Sequence, residues 1–197
     1  MIDIMLLSCG SEKKKIPAET FLSAYRPGHT YTVTRGAYGK PLLSGTPPLY
    51  LSKSDSGSYA ACAFSDSDVG LDLQQMSDGP LLMKIAGRFF TAEESGLLQS
   101  LAGADQIHVF YRLWTIKEAY IKLTGLGLSQ GLDAFLVNGT QEMALSPRAC
   151  GRGRIQLPEN PDRTAAYYEE LPGPDGYRMA VCSFRPVDGC IVLDDLP

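Results

Sequence analysis

Histidine is scarce in this chain: His29 and His108 are the two among 197 residues. Neither lies near a cysteine in sequence, so a His/Cys zinc site is poorly supported. No Ser/His/Asp or Cys/His spacing suggests a nucleophilic triad either. The five cysteines, Cys9, Cys62, Cys150, Cys182 and Cys190, are odd in number and include no CxxC pair; they read as free thiols of a reducing compartment. An excess of positive charge is also absent. With 18 Lys and Arg against 22 Asp and Glu, the net charge is −4. No global field draws the chain to nucleic acid or to an anionic membrane, and an anionic ligand needs a local cluster of Lys and Arg. No apolar run approaches the ~18 residues of a membrane span. The apolar start at 2–7 is too short for a signal h-region and lacks a basic n-region. Low-complexity tracts, regular repeats and a long linker are missing as well. What remains is an ordinary globular mixture, 44% apolar and 20% charged, long enough to bury a core without staples. The expectation is a soluble, cytoplasmic protein of one domain or two small lobes.

Residues 2–7 read as a first strand, 18–26 as a short helix stopped by Pro27-Gly28, and 31–34 as a strand. Gly36, Gly39, Pro41, Gly45, Pro47 and Pro48 predict an irregular loop over 36–48. Residues 49–52, 59–64 and 69–74, separated by turn residues at 55–57 and 66–68, predict a β-meander. Its middle strand is small and apolar, hence buried on both faces. The second half is more helical. Residues 80–90 form an amphipathic pattern with Pro80 near its start. Thr91-Ala92-Glu93-Glu94 is a capping box opening a helix to Leu101. Asp105 can cap a long helix that ends at Thr124, with Gly125 as its stop. Strand patterns follow at 134–137, 143–145, 154–157, 165–171 and 177–184. Each half thus offers helices and an antiparallel sheet. The expected fold class is α+β, with two packed lobes, 1–78 and 79–197.

Side chains alternate along 69–74, placing Val69, Leu71 and Leu73 on one face and Asp72 and Gln74 on the other. An acid and an amide oxygen about 7 Å apart suit a hard cation such as Mg²⁺. The same pattern also describes the solvent face of an edge strand. On the long helix, Tyr111, Trp114 or Thr115, Glu118 and Lys122 form one stripe. Glu118 and Lys122 are either a surface pair worth a few tenths of a kcal/mol, or a metal ligand and a phosphate contact. The aromatic residues flanking them favour a stripe that faces the lobe interface. Gly125-Leu126-Gly127 follows the helix, whereas phosphate loops precede one; these glycines are a cap and a tight turn. Lys40, in Tyr38-Gly39-Lys40-Pro41, can reach an anion.

Four stretches, in order, resemble the 4′-phosphopantetheinyl transferases of the large, pseudo-dimeric type that activates surfactin synthetase. They are Tyr38-Gly39-Lys40-Pro41, Val69-Gly70-Leu71-Asp72-Leu73-Gln74, Arg88-Phe89-Phe90-Thr91-Ala92-Glu93-Glu94, and Trp114-Thr115-Ile116-Lys117-Glu118-Ala119-Tyr120-Ile121-Lys122 with the Leu123-Thr124-Gly125-Leu126-Gly127-Leu128 that follows. Residues 132–135 and 176–182 resemble the segments that come next. The resemblance implies transfer of the phosphopantetheine arm of coenzyme A to a serine of an apo acyl or peptidyl carrier protein, releasing adenosine 3′,5′-bisphosphate. It implies Mg²⁺ held by Asp72, Gln74 and Glu118, with Asp72, Glu118 and Lys122 catalytic. Coenzyme A contacts then fall to Lys40, Ser52, Lys53 and Lys122.

Two departures stand out. Gln74 replaces a second acid, which removes one negative charge from the metal site. In 49–54, the counterpart of the family's FN(L/I)SHS run, Lys53 replaces the histidine and Tyr50 the asparagine. These departures leave a second reading open, a coenzyme A or carrier-binding relic. An unrelated Mg²⁺-dependent phosphohydrolase explains the acids but not the order of the four stretches. Lys84 and Arg88, and Lys13 to Lys15, are candidate carrier contacts, since such carriers usually present an acidic helix. One chain supplies both halves of the site, so a monomer is expected.

Overall fold

The computed structural model describes residues 1–10 and 15–194. The elements run β1 (Ile2–Ser8), α1 (Ala18–Tyr25), β2 (Tyr31–Arg35), β3 (Pro41–Gly45), β4 (Tyr50–Ser56), β5 (Tyr59–Ser65) and β6 (Val69–Gln75). Then come α2 (Leu82–Phe89), α3 (Ala92–Gln99), α4 (Gly103–Thr124), a 3₁₀ turn (Gly127–Gln130), β7 (Leu136–Val137), α5 (Thr140–Leu145), β8 (Arg152–Leu157), β9 (Asn160–Leu171), β10 (Tyr177–Ser183) and β11 (Cys190–Asp194). The class is mixed α+β, as expected. Strands join in the orders β11-β1-β5-β4 and β6-β10-β9-β8-β7, with β2-β3 as a separate hairpin. Strands from both sides of residue 78 therefore share each of the two larger sheets.

Helix α4 is the spine. It spans 22 residues and buries side chains from Val109 to Leu123 on most of its circumference. One side rests on the sheet of β6 and β10; the other meets Phe90, Leu98 and Phe135. A second apolar layer, including Ile4, Ala61, Ala63, Leu71, Leu73 and Val181, fills the space between the two sheets. A third lies outside the first sheet, under α1 and the β2-β3 hairpin. No helix among the described residues is long and apolar enough to cross a membrane.

Several local readings hold. Thr91 and Glu94 form the reciprocal capping box, and Gly125 ends α4 in the left-handed region at φ 69. The strand β5 is buried from Ala60 to Ser65. Others need correction. Residues 36–48 are not one irregular loop: Pro41–Gly45 pairs with Tyr31–Arg35. Proline is tolerated there because it opens the strand. The expected meander stops after its first hairpin. β5 pairs with β4 and β1, while β6 leaves for the other sheet and pairs with β10. Residues 143–145 are helical, not extended. The run Thr140-Gln141-Glu142-Met143-Ala144-Leu145 is rich in helix formers, and it buries Thr140 and Met143 at a helical spacing. Asp105 lies in the first turn of α4, but the N-cap is Ala102, without a side-chain bond. Strand β11 was not anticipated; it lies parallel to β1.

Candidate active site

Gly70 is what lets α4 approach β6. A Cβ built there would lie 1.9 Å from the Ala119 carbonyl oxygen and 2.5 Å from the Leu123 nitrogen. Both are backbone atoms, so no rotamer change relieves the clash. With glycine at 70, the next residue on that face, Asp72, comes up beside the last turns of α4.

The seam between β4 and β6 is made by side chains. The two strands belong to different sheets, yet the Leu71 N–H donates to Ser52 Oγ at 2.9 Å and the Gln75 N–H to Ser56 Oγ at 2.9 Å. Ser54, between them, donates its hydroxyl to Asp72 Oδ1 at 2.7 Å. Alternation places Ser52, Ser54 and Ser56 on one face of β4, where they occupy the edge of β6 that β10 does not use.

Asp72 is buried at 4% exposure. Its Oδ1 accepts from Ser54 and from the Lys122 ammonium at 2.7 Å. Its Oδ2 is buried with no hydrogen-bond partner. Lys122 also donates to Ser54 Oγ at 2.9 Å. Lys122 therefore turns across to the strand, and the helix-surface pairing with Glu118 is not what forms. Glu118, half-buried one turn earlier on α4, has its carboxyl pushed above the ordinary value. Burial is the main cause and the Asp72 charge adds to it, while Lys122 pulls the other way. Two mutually repelling carboxylates, one with an orphaned buried oxygen, fit a divalent cation. Gln74 is half-buried on the same strand face, opposite Arg178 in the ladder. Among the described residues, no three His, Cys, Asp or Glu side chains converge on one point; Asp72 and Glu118 are the two carboxylates close enough to act on one another.

A cleft of ≈ 220 Å³ opens beside this cluster, lined among others by Tyr38, Lys40, Ser52, Lys53, Lys122 and Gly125. A second hollow of ≈ 190 Å³ shares Lys40 and Pro41 with it. The two glycines after α4 seat the Tyr38-Gly39-Lys40 loop. A Cβ on Gly125 would meet Lys40 Cδ at 3.1 Å and one on Gly127 would meet Tyr38 Cβ at 3.3 Å. Lys40 donates to Asp68 at 2.8 Å and to the Leu123 carbonyl at 2.7 Å, placing a cation at the negative end of α4. Lys53 lies on the other face of β4 from Ser52 and pairs with Asp55. Each lysine of the cleft is thus held by an aspartate: Lys40 by Asp68, Lys53 by Asp55 and Lys122 by Asp72. An anion entering the cleft meets cations already desolvated in part and aimed.

Of the residues singled out from sequence, Lys40, Ser52, Lys53 and Lys122 line one cleft, while Asp72 pairs with Lys122 and its charge acts on Glu118. Lys84 and Arg88 are exposed on α2, away from this cluster in the chain. Lys13 and Lys14 lie outside the described residues; Lys15 is exposed. Ser54 was missed as a site residue. The period-two spacing of Ser52, Ser54 and Ser56 carried a signal for it, a polar face on a strand flanked by apolar ones. Asp68 and Asp55 carried none, since both sit in turn or edge positions where Asp is common.

A profile of the 4′-phosphopantetheinyl transferase superfamily matches residues 68–182. The chain is 34% identical over 149 residues to 4′-phosphopantetheinyl transferase Sfp of Bacillus subtilis, covering 76% of this chain and 61% of the relative. It is 31% identical over 157 residues to 4′-phosphopantetheinyl transferase gsp of Aneurinibacillus migulanus, covering 80% and 60%. It is 31% identical over 123 residues to 4′-phosphopantetheinyl transferase AcpT of Salmonella typhimurium, covering 62% of each. The chain belongs to the 4′-phosphopantetheinyl transferase superfamily. It spans about 61% of the length of the first two Bacillus relatives.

Proposed function

We propose that this chain transfers the 4′-phosphopantetheine arm of coenzyme A to a serine of an apo acyl or peptidyl carrier protein, releasing adenosine 3′,5′-bisphosphate. The observation that carries this reading is the buried, unpartnered Asp72 Oδ2, with Glu118 close enough to feel the Asp72 charge, beside a cleft lined by three lysines. The halves 1–78 and 79–197 act as one unit, the first supplying Asp72 and the second Glu118 and Lys122. No second copy is required, and the compartment expected is the cytoplasm.

Asp72, Glu118 and the Gln74 amide would hold Mg²⁺, which when bound neutralises charge on the pyrophosphate. Coenzyme A would lie in the cleft, and the second hollow, which shares Lys40 and Pro41 with it, adds wall on that side. Lys40 and Lys122 exchange their aspartate partners for phosphate oxygens, and Ser52 and Lys53 line the same cleft. The carrier serine loses its proton to Glu118, directly or through water. Its oxygen bonds to the phosphorus that bears the pantetheine arm. The bond from that phosphorus to the bridging oxygen breaks, and Lys122 offsets the charge that develops there. Burial and the Asp72 charge raise Glu118 toward the pH at which a carboxylate is an effective base.

Incubation with coenzyme A, Mg²⁺ and an apo-carrier will add one phosphopantetheine mass to the carrier. A second reading, binding of coenzyme A or carrier without transfer, is favoured by Gln74, which leaves two carboxylates where a third acid would strengthen the site. Coenzyme A retention with no mass gain on fatty-acid, polyketide or nonribosomal-peptide carriers would select it. Gln74→Glu restores a negative charge, and ligand charge governs affinity for hard cations. The Mg²⁺ concentration for half-maximal rate should fall several-fold; an unchanged titration would remove Gln74 from the ligand set.

A further inference from the structure

Ser54 stands at the centre of the Asp72 cluster without an assigned role. Buried at 6% exposure, it touches both Asp72 Oδ1 at 2.7 Å and Lys122 Nζ at 2.9 Å. The direction of the Lys122 bond is forced, and the distances favour Asp72 for the other. An ammonium only donates, so the Ser54 oxygen accepts from Lys122, and its own proton is left for Asp72. The Leu73 carbonyl, at 3.4 Å, is the weaker alternative. Oδ1 therefore takes two donors while Oδ2, itself buried, takes none. A carboxylate rotates easily about its last side-chain bond, because that torsion is broad and nearly two-fold. What stops Lys122 from drawing both oxygens round to itself is the second, fixed donor on Oδ1.

We infer that Ser54 is a positioning residue: its hydroxyl locks the Asp72 carboxylate so that Oδ2 stays free for a divalent cation. The inference rests on Asp72 being a metal ligand. It differs from the role of its neighbours. Ser52 and Ser56 accept backbone N–H groups of β6 and stitch the seam, whereas Ser54 alone of the three reaches a carboxylate. Ser56 is thus an internal control for loss of a seam bond.

The test uses the full chain, stripped of metal and titrated with Mn²⁺, with free ion followed by its paramagnetic resonance signal. No coenzyme A or turnover is needed. Ser54→Ala should weaken Mn²⁺ binding by about 10-fold, the size of effect seen when a partner that orients a ligand is removed. Ser54→Cys, which refills the volume with a poor donor, should weaken it too. Ser56→Ala should lower the urea midpoint while leaving Mn²⁺ affinity within about twofold of the parent. Equal affinity of Ser54→Ala and parent overturns the inference. So does equal weakening in Ser56→Ala, which would mark a general loosening of the seam. A parent chain that binds no Mn²⁺ removes the metal site itself and the inference with it, an outcome distinct from a parent that binds and a Ser54→Ala variant that binds equally well.

Discussion

Glu118→Gln will leave the chain folded and lower phosphopantetheine transfer by at least about 10³-fold, since in the proposed mechanism it removes both a proton acceptor and a charged metal ligand. The amide has nearly the same shape, so the packing of α4 on β6 is preserved. Stability supplies an independent check. The Glu118 carboxyl sits above its ordinary 4.5 in the folded chain because burial and Asp72 disfavour its charge. Between that ordinary value and the raised one, the folded state binds more protons than the unfolded state. Stability from this group is therefore greatest at low pH and is lost as pH rises through that window. Glutamine has no such loss. Urea midpoints measured from pH 4 to pH 8 should fall less steeply for Glu118→Gln than for the parent, with the variant equal or more stable at the upper end. Transfer by the parent should rise with pH through the same window, and added Mg²⁺ should move the rise to lower pH by favouring the ionised form. A variant that keeps a tenth of parental transfer would show that Glu118 is not the proton acceptor.

Lys117→Met will destabilise the fold by about 3–5 kcal/mol, because it leaves a buried carboxylate without its counter-ion. Lys117 and Glu94 are both 0% exposed and pair at 2.8 Å. The Lys117 ammonium also donates to the carbonyls of Leu132 at 2.8 Å and Phe135 at 2.9 Å, and it lies 4.5 Å from the Phe135 ring centroid. Glu94 reaches the Thr91 and Val137 N–H groups, each at 3.0 Å. One ion pair thus ties α4 to the start of α3, to β7 and to the segment before it. Burial pulls the Lys117 ammonium below its ordinary value, and the Glu94 charge holds it up against that. Removing both charges should recover much of the loss, since an apolar replacement of a buried pair is often close to neutral. The measurement is the urea midpoint of Lys117→Met against Lys117→Met with Glu94→Gln. If the single variant unfolds within about 1 kcal/mol of the parent, the pair contributes no more than an exposed one would.

These two residues, adjacent in sequence, show how far sequence reading reached. The helical period put Glu118 and Lys122 on one stripe, and Asp72 acts on the first and pairs with the second. The capping box at Thr91 was legible from its four-residue pattern alone. That Glu94 serves as cap and as counter-ion for Lys117 was not, because the two are far apart in the chain and either charge has a sufficient local explanation. Lys122 is the sharper case. A Glu four residues before a Lys is the favoured order for a helix-surface pair, so the local rule pointed at Glu118. The tertiary fold offered a buried carboxylate and a hydroxyl instead, and the desolvated partners won. Strand β6 was recognised by its alternation, but its neighbour was not. A period-two pattern states which face is apolar and says nothing about which strand pairs with it.

Local pattern was enough for the class of fold, the long helix with its glycine stop, the capping box, the alternation that puts Asp72 on a polar strand face, and superfamily membership through four ordered stretches. These follow from local periodicity, from turn chemistry, and from residue identity at fixed spacing. It took the folded chain to reveal that Gly70 brings α4 within backbone contact of β6, that Ser52, Ser54 and Ser56 join the two sheets, that each cleft lysine has its own aspartate, and that β11 returns to lie parallel to β1. Each of these is a contact between segments distant in the chain. The faces are set locally, but which two faces meet is set by the packing of the whole core.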